Sequence, residues 1–250
     1  MTRSAALLAV VCLALVGCAS ESSVRTDPGD DFASPSAPPC PPADAEGDAI
    51  IDYVAFVKVG QRMYAAAGAS GPVLVDPDLI RRQVGEVRCR IADTVGDPDF
   101  RPRSGDAAFL PVGTELHVFG EADPTLRLAV QEDGEWRVYE SSDVEGAQRG
   151  DDVLDISPET VTRVELRDGD TATTVIGEVT AAAEVADLTR AVLDAPVVQP
   201  DWDSMDEGPV FVRFELRDGT FVERPWHVDS GYLASRLEAP EELKLLLDKG

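Results

Sequence analysis

Apolar residues enter this chain as one unbroken block, residues 5 to 16 (AALLAVVCLALV), then almost vanish until about residue 48. Beyond that point they return in short alternating runs, the period-2 pattern of half-buried strands. Val57-Lys58-Val59, Gly60 and Gln61-Arg62-Met63-Tyr64 read as strand, turn and strand. Residues 78 to 84 fit a short helix or helical turn ahead of a strand over 84 to 91. Residues 107–110 and 115–119 read as a second hairpin, turning at Pro111-Val112-Gly113. Residues 126–130 and 136–139 flank Asp133-Gly134, a strong hairpin signal because both residues tolerate positive φ. Short strands at regular spacing predict a small, mostly antiparallel β domain over 49–143.

Residues 145–152 (EGAQRGDD) hold no large apolar side chain and mark a boundary. A second domain over 153–250 carries an internal echo: VELRDG at 164–169 matches FELRDG at 214–219 in five of six positions. Each copy alternates apolar and polar residues up to Asp-Gly, so each predicts a hairpin, with a two-residue turn and a longer turn with a glycine bulge both open. Thr180 is placed to cap a helix running to Ala195 with Val185, Leu188 and Val192 on one face. Pro240, Glu241 and Glu242 suit the start of a closing helix through Leu243, Leu245, Leu246 and Leu247. The predicted class is α+β: a small antiparallel β-rich domain, then a hairpin-helix-hairpin-helix α+β sandwich.

The first block has the length of a secretory signal core, and its 12 residues fall short of the roughly 20 needed to span a bilayer. With Arg3 before it and Leu15-Val16-Gly17-Cys18 after it, this stretch resembles a bacterial lipobox. The resemblance implies that residues 1–17 are a cleaved signal peptide and that Cys18 is acylated to become the first residue of a lipoprotein. It places the chain on the outer face of a bacterial cell membrane, with the membrane as its first partner. Residues 19–48 hold six prolines and five serines but only Val24 and Phe32 as large apolar groups, so residues 18–48 read as a disordered linker.

With 22 basic and 47 acidic residues the net charge is −25, which argues against nucleic acid as a partner. Of four cysteines, Cys12 leaves with the signal and Cys18 carries lipid. Cys40 and Cys89 remain, an even pair whose simplest fate in an oxidising compartment is a disulfide. The alternative makes Cys89 a nucleophile, because Val87-Arg88-Cys89-Arg90 resembles the Cys-Arg step of some cell-wall transpeptidases. Those enzymes carry a Gly or Thr and a nearby His around the cysteine, and this stretch has neither.

Two histidines, His117 and His227, sit in different predicted domains and within predicted strands, where a hydrogen-bonded structural role outweighs a catalytic one. No G-x-S-x-G, H-E-x-x-H, C-x-x-C or Walker-type loop occurs, so neither a cofactor nor a metal enzyme is expected. The most pointed cluster is Asp201, Trp202, Asp203, Asp206 and Glu207, four acids beside an indole. It offers oxygen ligands for a cation or a face for a sugar, yet departs from the EF-hand pattern, and a solvated loop is the simpler reading.

Several segments, among them Asp52-Tyr53-Val54-Ala55-Phe56, the run from Gly105 to Thr114, Leu126-Arg127-Leu128-Ala129-Val130 and Val228-Asp229-Ser230-Gly231-Tyr232, resemble a group of uncharacterised bacterial lipoproteins. That resemblance implies a two-domain extracytoplasmic lipoprotein and brings no activity with it. The expected function is a non-catalytic binding or interaction module of the cell envelope, with an envelope protein or small ligand as partner. The alternative is a cell-wall hydrolase or transpeptidase using Cys89 or acidic residues.

Overall fold

The computed structural model describes residues 40, 54–93, 95, 100–141, 145–199, 209–234 and 236–247. Cys18, Asp201, Trp202, Asp203, Asp206 and Glu207 lie outside the described residues.

The strands fall into two sheets. The first holds β1 (Phe56–Val59), β2 (Arg62–Ala66), β3 (Ile80–Glu86), β4 (Cys89–Arg90), β5 (Asp106–Ala107), β6 (Glu115–Phe119), β7 (Arg127–Glu132) and β8 (Glu135–Ser141). Their order is β3-β6-β7-β8-β2-β1-β5-β4. The β1–β2 and β7–β8 hairpins form where the local signals put them, with Asp133 and Gly134 at φ 53° and 86° in the tight turn. The expected pairing of residues 107–110 with 115–119 does not form. Instead β5 lies antiparallel to β1 and parallel to β4, while β6 lies between β3 and β7. The reason is burial: Ala107, Ala108 and Leu110 are fully enclosed, which requires strands on both sides of β5 rather than a two-stranded ribbon. The predicted helical turn is a single 3-10 turn, Pro77–Leu79, capped by the Asp76 carboxylate accepting from Asp78 N–H at 2.9 Å. Extended chain resumes at Ile80, four residues earlier than the pattern suggested.

The second sheet holds β9 (Val161–Arg167), β10 (Val175–Val179), β11 (Val210–Leu216), β12 (Phe221–His227), β13 (Tyr232–Leu233) and β14 (Leu237–Glu238), in the order β10-β9-β11-β12-β13-β14. The two ELRDG copies lie on neighbouring interior strands, β9 and β11, and they pair with each other. Val164 faces Phe214, Glu165 faces Arg213 and Arg163 faces Glu215, so the copies meet as if about a two-fold axis through the Val164–Phe214 pair. Helix α1 (Ala182–Asp194) packs on β9, and α2 (Glu241–Leu247) packs on β10 and α1. Val185, Leu188 and Val192 face inward as expected, joined by Leu243 and Leu246, but Leu245 is exposed. Thr180 does not cap α1. Pairing of Val179 with Val164 keeps the backbone extended one residue longer, so Ala181 becomes the cap, without a side-chain hydrogen bond.

The acidic boundary segment is itself packed. Gly150 N–H donates to Ala195 C=O at 3.0 Å, and a Cβ added there would come within 2.1 Å of the Val192 carbonyl oxygen. Only glycine lets the segment lie against the C-terminal end of α1.

Candidate functional site

The two sheets meet through charged side chains. Glu223 on β12 accepts from the Ala69 and Ser70 amides at 2.8 and 3.0 Å. It also takes two bonds from Arg213 at 3.0 and 2.9 Å, and that guanidinium stacks 3.7 Å from the Phe221 ring centre. A second network surrounds Arg127, which is 1% exposed. Its Nη2 donates to Thr220 Oγ1 at 3.0 Å, Nε lies 3.5 Å from Glu140 Oε1, and Nη1 lies 3.7 Å from Asp155 Oδ2. Arg224 from β12 closes on Glu140 from the other side. A buried cation is tolerable only when neutralised in this way, and the acids come from both sides of the junction.

Arg127 forms part of the lining of a cleft of about 780 Å³ between the sheets. One wall is Leu79, Arg81 and Gly120-Glu121-Ala122, from the first sheet. The other is Leu216-Arg217-Asp218, the turn of the second ELRDG copy, and residues 155–157 with Thr160 close it. The cleft has the size of a small-ligand pocket. Its chemistry is mixed: three arginines and three acids line it, in a chain of net charge −25. Glu121 and Arg217, from opposite walls, are exposed with no side-chain partner among the described residues. Asp155 is the perturbed group. Burial pushes its carboxyl up to about 6, against the pull of Arg127 and the bond from the Asp123 amide. Near neutrality it can therefore accept or, when protonated, donate.

Cys40 and Cys89 are joined by a disulfide, with Cα atoms 5.1 Å apart, so Cys89 carries no thiol in this state and is 1% exposed. That removes the nucleophile from the cysteine version of the enzymatic alternative. His117 Nδ1 donates to the Arg81 carbonyl, Nε2 lies 2.9 Å from Glu115, and the ring meets Trp136 edge-on at 5.0 Å. His227 lies on β12, and its Nδ1 is buried without a hydrogen bond among the described residues. Sequence reasoning missed Arg127, Asp155, Glu121 and Arg217. A signal existed for one of them: Arg127 is the only charge inside the apolar run Leu126 to Val130.

No family model, curated protein or solved structure matches this chain.

Proposed function

We propose that this chain is an extracytoplasmic lipoprotein, held by Cys18 on the outer face of a bacterial cell membrane, that binds a polar small ligand in the cleft between its sheets without acting chemically on it. On this reading residues 49–143 and 153–250 are two domains, the second a hairpin-helix-hairpin-helix sandwich, and the site lies where they meet. The observation that carries the reading is the cleft itself: ligand-sized, walled by both sheets, with Arg127 buried in its lining and unpartnered Glu121 and Arg217 at its sides. The Ala5–Val16 core and the lipobox-like Cys18 support the location. A melting-shift screen of polar metabolites and cell-wall fragments against the mature chain tests it. At least one compound is expected to raise the melting temperature, and Arg217→Ala with Glu121→Ala should weaken that effect tenfold or more. A binder unaffected by both substitutions, or turnover of any wall fragment, would overturn the reading.

A further inference from the structure

The guanidinium of Arg127 is buried and has five N–H donors to satisfy. Nη2 donates to Thr220 Oγ1 at 3.0 Å and to the Phe221 carbonyl at 3.5 Å. Nε is buried without a hydrogen bond, 3.5 Å from Glu140 Oε1. The partner of Nη1 among the described residues is Asp155 Oδ2, and at 3.7 Å the pair is too long for a hydrogen bond. Of these four neighbours only Asp155 shares the lining of the cleft with Arg127; Thr220, Phe221 and Glu140 do not. Nη1 is therefore the edge of the guanidinium turned toward the cleft. Buried donors are ordinarily satisfied, so one that stands short of an acceptor in the wall of a ligand-sized cleft implies an acceptor that arrives with the ligand.

We propose that the ligand carries an oxyanion, a carboxylate or a phosphodiester, which accepts from Arg127 Nη1, and that Asp155 takes up a proton as it binds. The proposal rests on reading the cleft as a ligand site. The charged groups around Asp155 are Arg127 on β7, Asp123 in the loop before it and Glu140 on β8, with Arg224 of β12 bonded to Glu140. Arg81, Glu121, Arg217 and Asp218 complete the charges of the lining. Asp155 Oδ2 accepts from the Asp123 amide at 3.2 Å, and Oδ1 has no bond among the described residues. While Asp155 is ionised, three arginines face three acids, and an incoming anion meets a carboxylate 3.7 Å from its donor. Once Asp155 is protonated, the lining holds one positive charge in excess and the carboxyl O–H becomes a second donor to the same anion. Burial already raises that carboxyl to about 6, so the proton is readily gained near neutrality. The other two acids are less suited to this part: Asp218 Oδ1 is held by the Thr220 amide and hydroxyl at 2.9 and 2.7 Å, and Glu121 is exposed. A cationic ligand would leave Nη1 unanswered and would be repelled by it.

Two probes stay singly ionised from pH 5 to pH 8: glycolate for the carboxylate and dimethyl phosphate for the phosphodiester, with glycolamide as the uncharged control. Calorimetry on the mature chain should give at least one of the anions a dissociation constant of roughly 1 mM at pH 5. That affinity should fall about tenfold for each pH unit above 6. A pH-stat should record about one proton taken up per anion bound at pH 7 and almost none at pH 5. The tighter of the two anions identifies the kind of oxyanion. Asp155→Asn, whose side-chain carbonyl can still accept from the Asp123 amide, should abolish the uptake and flatten the pH profile. Arg127→Gln should remove binding; should that variant fail to fold, the proton count on the wild type and the Asp155→Asn profile still decide. Absence of binding by both anions at pH 5 overturns the proposal, as does equal binding of glycolamide. So does an anion that binds without a proton, or proton uptake that persists in Asp155→Asn. If one of these results stands beside an uncharged or cationic compound that the melting-shift screen places in the cleft, the cleft reading survives and the oxyanion is lost. A chain that no compound of any charge stabilises loses both.

Discussion

A single carboxyl sets an unusual pH response. Asp155 has an ordinary value near 3.8 in the unfolded chain and is raised to about 6 by burial in the folded one. The folded state then binds the proton more tightly, so this group's contribution to stability is full below about pH 4 and is lost as pH rises through 6. Urea unfolding at pH 5 and pH 7.5 should show the protein more stable at the lower pH, and Asp155→Asn should reduce that difference by on the order of 1 kcal/mol. Asp168 works in the opposite sense and in a lower range: bonds from the Thr171 and Thr174 amides hold its carboxyl well below the usual range. Its contribution is present above the ordinary carboxylate pKa and fades only under strong acid. Neither behaviour is legible in the sequence, where Asp155 is one of 47 acids. What distinguishes it is burial at the junction of the sheets, beside Arg127 of β7, which stands 28 positions earlier and comes within 3.7 Å.

Among the elements, the repeated ELRDG shows how far local pattern reaches. Both copies become strands, as their alternation requires, yet the same Asp-Gly ends in two different turns. In the second copy Leu216 N–H bonds the Thr220 carbonyl and Gly219 takes φ 85°, a short turn built on glycine. In the first, Asp168 N–H bonds the Thr174 carbonyl and the Asp168 carboxylate gathers the amides of Asp170, Thr171 and Thr174, a longer loop built on aspartate. Gly219→Ala should therefore cost about 1 kcal/mol or more, and Gly169→Ala less than about 0.5, which denaturant unfolding of the two variants will compare. Hairpins closed by adjacent residues were readable for the same reason: their hydrogen bonds are local. The partners of β5 and β6 were not, because they depend on which distant strands bury Ala107 and Leu116. The cleft was hidden for that reason too, since its walls come from segments between Leu79 and Asp218 that only the joined sheets bring together.

For the whole molecule, the Cys40–Cys89 bond spans a sequence separation of 49 residues, and closing such a loop restricts the unfolded chain by about 4 kcal/mol. Replacing both cysteines by alanine should lower the unfolding free energy by about 3 to 4 kcal/mol relative to the disulfide-bonded wild type, measured in denaturant, and reduction of the wild type should cost a similar amount. Pairing of Cys40 with Cys89 was the simplest reading of the sequence, and the bond is present. The surroundings were not readable: Cys89 is enclosed with Phe56, Ile91 and Ala108 in a small cluster at one end of the sheet. The same bond decides what a protease can release. On the proposed anchoring through Cys18, one cut between Cys18 and Cys40 would part every described strand and helix from the lipid. A single cut between Cys40 and Cys89 leaves the two pieces covalently joined until a reductant arrives.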